Sequence, residues 1–447
     1  MPTSRRTFLG SLAAAGIIAP RLFVPSAKGA VTQAGRTADE AVAAAGLARE
    51  ILARSTLDAT AAAADPALWR EVQRSWAVDR TILNLENGGL QPSPAIVNQA
   101  YIKAWNYAHE APSYTNARIL WPQVEGVRAR LAQAFGCDTE EMAITRNTTE
   151  GFLAAALGIK LAVGDEVLTT THDYHRYRNA FLQRQQREGI VLRTIQLPVP
   201  VEDPGLVVQR FTDAITPRTR VILLSHVFQL TGQVMPIRDI VRLARARDII
   251  VIVDGAHGFS HVSAKRDELE CDIYTTSLHK WLSAPHGTGF LYVRKSLISS
   301  IWPLQPPTAK APDDIRKFEA IGTASAAPYL AIGDALNFWE MIGAERKRAR
   351  LIWLRERWVA RLAGLPGVKL NTSRRPGLAG AIVNIDLEGM PPVKLATWLW
   401  DRHRVLVAGV EHPEFKGLRI VPALYTTEAE LDRFSELLIE ARKHGIS

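Results

Sequence analysis

Residues 248–257 read DIIVIVDGAH, in which five consecutive β-branched residues lead into an acidic side chain and a glycine. Such a run predicts a β-strand buried on both faces, as in the parallel sheets of α/β proteins. Asp254 falls at the carboxyl end of this strand, where parallel sheets place ligand-binding groups. A carboxylate there needs a partner, because burying an unpaired charge is costly. Its alternative role is to cap the next helix.

Further β-rich runs lie on both sides of this strand and alternate with helical stretches. An apolar stripe with helical spacing runs from Val124 to Phe135 and stops at Gly136. A closing helix is predicted after Thr427, whose distance from Glu430 is that of a capping box. The alternation predicts an α/β fold with a mostly parallel sheet. The β-rich runs are GDEVLTTT at 164–171, GIVLRTIQL at 189–197, TRVILLSHV at 219–227 and GTGFLYV at 287–293.

Length and composition indicate a soluble globular protein with two domains, or with one large domain and an appendage. The chain has 447 residues, of which 47% are hydrophobic and 22% are charged. The formal net charge is +9, but four of the positive charges lie in the first thirty residues, which hold no acid. No dense block of lysine and arginine follows, so binding to nucleic acid is not expected.

The N-terminus resembles a twin-arginine (Tat) export signal. Arg5 and Arg6 precede the apolar run FLGSLAAAGIIAP, and no acidic residue occurs before Asp39. The apolar run is too short to predict a membrane span. We therefore expect the Tat machinery to be a partner and the protein to be periplasmic or otherwise exported. The alternative is a short amphipathic start that stays attached, which would leave the protein cytoplasmic.

The cysteines and histidines predict neither a disulfide framework nor a metal site. Cys137 and Cys271 are the only cysteines, and we expect both to be packed thiols. The histidines form no cluster with the sequence spacing of metal ligands.

The segment TTSLHKWL, residues 275–282, holds one lysine between His279 and Trp281. A lysine whose pKa is lowered in an enclosed site forms an imine with an aldehyde cofactor, and nearby hydroxyl and imidazole groups bind phosphate. Most lysines beside aromatic residues are surface side chains, so this segment alone is weak evidence for such a site. Asp254 strengthens the interpretation, because a carboxylate pairs with a protonated pyridine nitrogen and keeps such a cofactor an electron sink.

A third segment, TRNTTEGF at 145–152, opens a predicted helix with small hydroxyl residues. Backbone amides at a helix start, together with the Thr148 and Thr149 hydroxyls, form a phosphate site. Simple N-capping by Asn147 or Thr148 is the alternative.

The order and spacing of these three segments resemble the class V aminotransferase family of fold-type I enzymes that depend on pyridoxal 5′-phosphate (PLP). In that family a threonine-rich loop holds phosphate, an Asp-x-Ala-His strand end holds the pyridine ring, and Ser-x-His-Lys ends in the Schiff-base lysine. The resemblance implies PLP bound to Lys280, with Asp254 and His257 as further catalytic residues. Other similar segments are NGGLQPSP at 87–94, SHVFQLTGQVMPI at 225–237 and FEAIGTAS at 318–325.

The resemblance also implies binding roles for individual residues. His172 is expected over the face of the cofactor ring, with Tyr174 and His175 as rivals. Arg419 matches the arginine that receives the substrate α-carboxylate, a task that suits a bidentate guanidinium, and Asn87 is the second expected substrate contact. The implied cofactor-binding residues are Thr148, Thr149, His172, Asp254, His257, Ser277, His279, Lys280 and Thr323.

The implied architecture is the PLP-dependent transferase fold of type I. It has a large α/β/α domain with a central mixed, mostly parallel sheet, and a smaller α+β C-terminal domain. Thr323 is expected to reach the phosphate of the neighbouring subunit, which implies a homodimer with shared active sites. The expected divisions are a signal at 1–30, a helical arm or linker at 31–80, the large domain at 81–325 and the small domain at 326–447.

The overall resemblance is closest to the isopenicillin-N-epimerase-like branch. It implies a reaction at the Cα of an amino acid or amino-acid derivative, either epimerisation or transamination. The first alternative is a lyase for C–S or other β-elimination, and a non-catalytic exported binding protein is the second. Cysteine desulfurases of this class carry a nucleophilic cysteine on a loop before the substrate arginine, and Val405–Gly417 contains none. Persulfide-forming desulfuration is therefore disfavoured.

Overall fold

A computed structural model describes residues 46–47, 49–51, 53–54, 56–306 and 310–446. The predicted signal at 1–30 and the first part of the predicted arm therefore lie outside the described residues. Across the described ranges, no helix combines the length and the apolar character that crossing a bilayer requires.

The strands follow the β-rich runs of the sequence. Their bounds are β1 Leu83–Asn84, β2 Met142–Thr145, β3 Glu166–Thr170, β4 Val191–Ile195, β5 Thr219–Ser225, β6 Ile250–Asp254, β7 Ile273–Ser277, β8 Gly289–Val293, β9 Val368–Leu370, β10 Val383–Leu387, β11 Val405–Leu406, β12 Ala408–His412 and β13 Phe415–Ile420.

Helices separate most of these strands, as the alternation predicted. Their bounds are α1 Ala59–Ala63, α2 Pro66–Arg74, α3 Ala95–Glu110, α4 Pro112–Tyr114, α5 Trp121–Phe135, α6 Thr148–Gly158, α7 His175–Glu188, α8 Pro204–Ala214, α9 Ile237–Arg245, α10 Arg266–Leu269, α11 Lys295–Ile298, α12 Ala327–Leu330, α13 Ile332–Ile342, α14 Ala344–Leu362, α15 Pro392–His403 and α16 Glu428–His444. A π-helical stretch covers Thr115–Leu120, and 3₁₀ turns cover Thr139–Glu141 and Ile315–Glu319.

The central sheet has seven strands in the order β2-β8-β7-β6-β5-β3-β4. Strands β3 to β7 pair in parallel, whereas β8 is antiparallel to both of its neighbours. This mixed, mostly parallel sheet confirms the predicted fold class. The three-strand core β5-β6-β7 aligns its carboxyl ends, with Ser225 opposite Asp254 and Asp254 opposite Thr275.

The position of strand β6 in the sheet explains why its sequence is continuously apolar. Val251 and Val253 point into the hydrophobic cluster on one face of the sheet, and Ile252 points into the cluster on the other. Helix α5 packs on the first face and α6 and α7 on the second. With helices on both faces, the strand is buried from Val251 to Asp254, so polar alternation is absent.

The predicted helix ends are confirmed. Helix α5 stops at Phe135, and Gly136 follows in the left-handed conformation with φ of 84°, which favours glycine at a helix C-terminus. Helix α16 begins after Thr427, and the reciprocal hydrogen bonds of a capping box with Glu430 are both present.

A second, antiparallel sheet in the order β12-β13-β10-β9 forms the C-terminal layer. It packs against α14, α15 and α16 around its own apolar cluster. The short strand β1 pairs in parallel with β11, so residues 83–84 join this C-terminal layer. The domain divisions given above stay predictions.

Cys137 and Cys271 are both free, as predicted. Burial raises the pKa of the Cys137 thiol to about 12 and that of Cys271 further. Both thiols are therefore protonated and poorly nucleophilic at neutral pH.

Candidate active site

A cavity of about 340 Å³ lies at the carboxyl ends of β5, β6 and β7. Its size is within the range of cofactor and ligand pockets, about 300–1,000 Å³. The fold brings most of the predicted site residues to this one place. The lining residues are Gly88, Gly89, Asn147, Thr148, Thr149, Tyr174, Tyr177, Ser225, Gln229, Asp254, His257, Ser277, His279, Lys280 and Arg419.

Lys280 extends into the cavity just beyond β7. Burial lowers the pKa of its amine to about 8, although the negative charge of Asp254 opposes the shift. Its Nζ lies 3.3 Å from Nε2 of His257. The Nδ1 of His257 accepts a hydrogen bond from the Trp281 indole at 3.2 Å, so the imidazole proton is on Nε2 and points to the lysine. This contact favours a neutral amine, the form that attacks an aldehyde.

Asp254 ends β6 with its side chain on the cavity and only 6% exposed. Burial raises the pKa of its carboxyl to about 6, while the Ala256 amide and the Lys280 charge act in the other direction. The Ala256 N–H donates to Oδ1 at 3.0 Å, which closes a turn after β6. The alternative role as a helix cap is wrong, because the next helix begins only at Arg266. A cation opposite this carboxylate would relieve the cost of its burial.

The start of α6 forms the polar end of the cavity. The Thr148 N–H donates to Ser277 Oγ at 2.9 Å, and the two hydroxyl oxygens lie 2.7 Å apart. Asn147 caps the helix by accepting from the Glu150 N–H, so the capping alternative is confirmed, while the phosphate site stays a prediction. A Cβ at Gly151 would lie 2.4 Å from Thr275 Oγ1, and glycine is therefore what lets α6 approach β7.

His279 supplies a buried polar atom that no described residue satisfies. Its Nδ1 has no hydrogen-bond partner, and burial lowers its pKa to about 4. Buried polar atoms are nearly always hydrogen-bonded, so this nitrogen is available to a ligand in the cavity.

His172 is placed differently from its predicted position over the cofactor ring, and this part of the prediction is corrected. Its side chain is buried away from the cavity, with Nε2 2.9 Å from Glu414 Oε2. Its neighbour Asp173 turns inward, accepts from the Thr170 amide and hydroxyl, and bonds the Ser225 amide at 2.7 Å. That anchor directs the next side chain, Tyr174, to the cavity. Of the two residues, the rival Tyr174 is therefore the one that lines the cavity.

Arg419 reaches the cavity from β13 of the C-terminal sheet. Its Nε donates to Glu86 Oε2 at 3.3 Å, and its Nη2 donates to Glu86 Oε1. Burial lowers the pKa of its guanidinium to about 10, which leaves it charged at neutral pH. The fork that was predicted to hold a substrate carboxylate is thus engaged by a carboxylate of the protein itself.

Asn87 is placed where it cannot serve the predicted substrate contact. It is fully buried, and its Nδ2 donates to the Asn84 and Val421 carbonyls. Its Oδ1 accepts from the Tyr425 hydroxyl at 2.5 Å. All its polar atoms are therefore used to join the β1 segment to the C-terminal sheet, and the adjacent Gly88 lines the cavity instead.

Thr323 is exposed and does not line the cavity of its own chain. Gly322 before it has φ of 81°, so the pair forms a turn at the surface. Its predicted contact with a second subunit stays a prediction.

The residues of the cavity suit three groups of PLP: its phosphate, its pyridine nitrogen and its aldehyde. The start of α6 offers donors for a phosphate, because helix N-termini favour anions, and His279, whose Nδ1 is unpartnered, lines the same cavity. The buried carboxylate of Asp254 suits a protonated pyridine nitrogen. Lys280 supplies an amine of lowered pKa for the aldehyde.

The family model for aminotransferase class-V matches residues 95–434. The protein therefore belongs to the aminotransferase class-V family and is a PLP-dependent enzyme of fold type I. Isopenicillin N epimerase of Streptomyces clavuligerus is 31% identical over 394 residues, covering 83% of this chain and 97% of that protein. The same enzyme of Amycolatopsis lactamdurans is 32% identical over 395 residues, covering 84% and 99%.

A solved structure supports the same fold. The cysteine desulfurase CsdA of Escherichia coli matches with a TM-score of 0.73 and 22% identity, covering 84% of this chain and 98% of that one. At this identity the likeness concerns the fold alone.

Three cavity features were not predicted from the sequence. Tyr177 lies on α7, where burial raises the pKa of its phenol well above the ordinary range and the charge of Asp254 adds to this. Gln229 and Glu86 surround Arg419. Glu86 and Gln229 each had a signal, since Glu86 directly precedes the NGGLQPSP segment and Gln229 lies within SHVFQLTGQVMPI.

Proposed function

We propose that this enzyme reacts at the Cα of an amino acid or amino-acid derivative, with Lys280 first anchoring PLP and then moving the Cα proton. The observation that carries the proposal is the state of the Lys280 amine. It is partly buried, its pKa is lowered to about 8, and it lies 3.3 Å from an imidazole nitrogen. Asp254 and Arg419 line the same cavity.

Each side chain has a task in this proposal. PLP, when bound, supplies an electron sink for the charge that develops at Cα. Asp254 holds the proton on the pyridine nitrogen, and Arg419 binds the substrate carboxylate through its fork. The amine of Lys280, once displaced by substrate, is the general base for the Cα proton. The His257 N–H orients that amine.

Epimerisation is our first candidate and transamination the second. The support is the 31% and 32% identity to isopenicillin N epimerases over more than four-fifths of the chain. The substrate class is then an amino acid, or a derivative that retains a free α-amino group and a carboxylate for Arg419.

A screen of L- and D-amino acids in D₂O tests this function. We expect deuterium at Cα, together with formation of the opposite enantiomer if the enzyme is an epimerase. A requirement for a 2-oxo acid would identify an aminotransferase instead. The Lys280→Ala variant should lose exchange by at least about a hundredfold, the usual minimum contribution of a general base. Exchange that survives in this variant would contradict the proposal.

The lyase alternative gives a different product in the same screen. Release of pyruvate or ammonia from cysteine, cystine or serine would identify β-elimination. A persulfide route lacks support, because the cavity lining contains no cysteine and both thiols have raised pKa values. The non-catalytic alternative predicts no Cα exchange at all, with or without a visible band from bound cofactor.

We further propose a homodimer in which Thr323 of one subunit approaches the cofactor phosphate of the other. The support is a pair of exposed apolar side chains one turn apart on α3, Ile102 and Trp105, each more than two-fifths exposed. Neighbouring exposed apolar side chains are typical of interaction surfaces. Sedimentation should give a dimer, and Trp105→Glu should shift it toward monomer and weaken PLP retention. A monomeric wild type that retains PLP would refute shared sites.

Export by the Tat machinery is the remaining proposal, and it rests on Arg5 and Arg6 before an apolar run. Fractionation of cells that express the native chain should find it in the periplasm. The double variant Arg5→Lys/Arg6→Lys should remain in the cytoplasm. Equal periplasmic recovery of the two would refute the proposal.

A further inference from the structure

A second cluster of ligand-type side chains lies outside the cofactor cavity. His172 follows β3, whereas His412 and Glu414 form the tip of the hairpin between β12 and β13. One ligand atom from each residue lies within 4.8 Å of those of the other two. None of the three lines the cofactor cavity. Sequence spacing predicted no such cluster, because the residues are far apart in the chain.

The cluster is enclosed and held in place by aromatic rings. His172 is only 4% exposed. The rings of Phe228 and Phe415 meet its imidazole edge-on at 5.4 and 5.5 Å. His412 stacks on Phe415 at 4.7 Å. Packing of this kind fixes side-chain orientation and limits the access of water, as the surroundings of metal ligands do.

Hydrogen bonds fix the tautomer of His412. Its Nε2 lies 3.3 Å from the Thr171 carbonyl oxygen, which can only accept, so the imidazole proton is on Nε2. Nδ1 is therefore unprotonated and accepts a hydrogen bond from the Glu414 backbone N–H at 3.2 Å, which a metal ion bound at Nδ1 would replace. A histidine ligand whose other nitrogen donates to a backbone carbonyl is the usual arrangement at metal sites.

We propose that His172, His412 and Glu414 bind a Zn²⁺ ion that ties the hairpin tip to the segment after β3. Two imidazole nitrogens and one carboxylate oxygen are a zinc donor set, with a fourth position left for water. Zn²⁺ takes the place of the proton between His172 Nε2 and Glu414, now 2.9 Å apart. That proton moves to Nδ1 of the same ring, so the ligand imidazole remains neutral.

The ion has a positioning role in this proposal. The segment that it would hold runs through Asp173 to Tyr174, which lines the cofactor cavity. The hairpin leads into β13, which carries Arg419. Zinc would thus fix the two chain segments that bring the Tyr174 ring and the Arg419 guanidinium to the cavity. It would not touch substrate or cofactor.

Metal analysis of the purified full-length holoenzyme tests the proposal. After dialysis against metal-free buffer with and without added ZnCl₂, we expect about one Zn²⁺ per chain, as for a three-ligand site. Thermal unfolding should shift to higher temperature with Zn²⁺, because a ligand that binds the folded state stabilises it. The variants His412→Ala and Glu414→Gln should each bind zinc at least about tenfold more weakly. The exposed His444→Ala serves as the matched control and should bind like wild type.

The outcomes separate zinc binding from damage to the fold. Each variant is compared at equal PLP content, so loss of zinc with the cofactor band retained supports the site. If wild type binds no zinc after supplementation, or if Glu414→Gln and His412→Ala bind it as tightly as wild type, the proposal is overturned and the cluster is a hydrogen-bonded His–Glu pair only. Zinc content is independent of substrate turnover, so the result stands whatever reaction the cofactor site catalyses.

Discussion

Arg419 and Glu86 form a two-point ion pair at the edge of the cofactor cavity. The guanidinium donates from Nε to Oε2 at 3.3 Å and from Nη2 to Oε1. The side chains are 13% and 20% exposed, so water screens the pair only in part. A substrate carboxylate that uses Arg419 must therefore share or displace Glu86, and this residue sets how tightly the carboxylate is bound.

Replacing Glu86 by glutamine is expected to tighten substrate binding. Glutamine keeps the shape and one acceptor oxygen but removes the competing charge, so Arg419 becomes more available to an external carboxylate. We expect the apparent Kd or KM of an amino-acid substrate to fall about tenfold, which corresponds to about 1.4 kcal/mol. The measurement is a titration that follows the visible band of the bound cofactor with L- and D-alanine.

Arg419→Lys is the matched control for this variant, because lysine lacks the fork and should weaken binding of the same amino acids. An unchanged Kd in Glu86→Gln would mean that the pair is structural and that the substrate carboxylate binds elsewhere. Stability gives a second readout, since removal of one partner leaves a partly buried charge uncompensated. We therefore expect Glu86→Gln to unfold at a lower temperature than wild type even while it binds substrate better.

Tyr174 provides a second prediction, about cofactor affinity. It lines the same cavity as Thr149 and Asp254, so Tyr174→Ala should weaken PLP binding by about three- to tenfold, the value of an aromatic contact of about 0.5–1.5 kcal/mol. Tyr174→Phe keeps the ring and should bind PLP like wild type. The measurement is equilibrium dialysis of PLP against each apoprotein. Equal affinity of the alanine and phenylalanine variants would show that the ring does not contact the cofactor.

The strands and the cofactor residues were predictable from the sequence because their signals are local. Val251 to Val253 are apolar without interruption, and only a strand covered on both faces suits that pattern. Lys280 and Asp254 follow the ends of such strands, and the aligned ends of β6 and β7 bring them together. Thr148 is likewise close to Ser277 because α6 begins where β2 ends.

The remaining features depend on contacts between distant segments. Glu86 and Arg419 are separated by 333 positions, and His172 and Glu414 by 242. The sequence also did not show whether His172 or Tyr174 lines the cavity, because both residues follow β3. The turn between them depends on Asp173, which accepts a hydrogen bond from the distant Ser225 amide. Asn87 resembled a substrate contact until the fold supplied partners for each of its polar atoms.

The lowered pKa of Lys280 predicts how PLP capture depends on pH. Only the neutral amine attacks the aldehyde, so the rate of PLP uptake by the apoprotein should rise with pH and level off above about 8, instead of near the ordinary lysine value of 10.5. Asp254→Asn removes the charge that holds this pKa up, and its midpoint should lie at lower pH. Stopped-flow absorbance gives both profiles. A shared midpoint would show that Asp254 does not act on the amine.

Lys347 is a buried lysine that contacts the residue after the cofactor lysine. It lies on α14, and its Nζ donates to Ser260 Oγ at 2.8 Å and to the carbonyl oxygen of Trp281, the residue after Lys280. Burial lowers the pKa of this amine to about 7. Its hydrogen bonds hold the turn from which Lys280 projects, while its burial opposes the charged form.

Lys347→Met should therefore change both the stability and its dependence on pH. Between pH 10.5 and about 7 the unfolded lysine binds a proton that the folded one does not, so this residue makes wild-type stability rise with pH in that window. Methionine cannot titrate. The unfolding free energy of wild type minus that of the variant should thus increase by about 1 kcal/mol for each pH unit across the window. Methionine also leaves the Trp281 carbonyl unsatisfied, which costs roughly 1–3 kcal/mol. At pH 10 the unfolding free energy of wild type should exceed that of the variant by this amount in addition to the pH-dependent difference. Urea unfolding of the two apoproteins at pH 7, 8.5 and 10 measures the difference. A difference that does not vary with pH would mean that Lys347 stays charged when folded and that its amine finds compensation in its two hydrogen bonds.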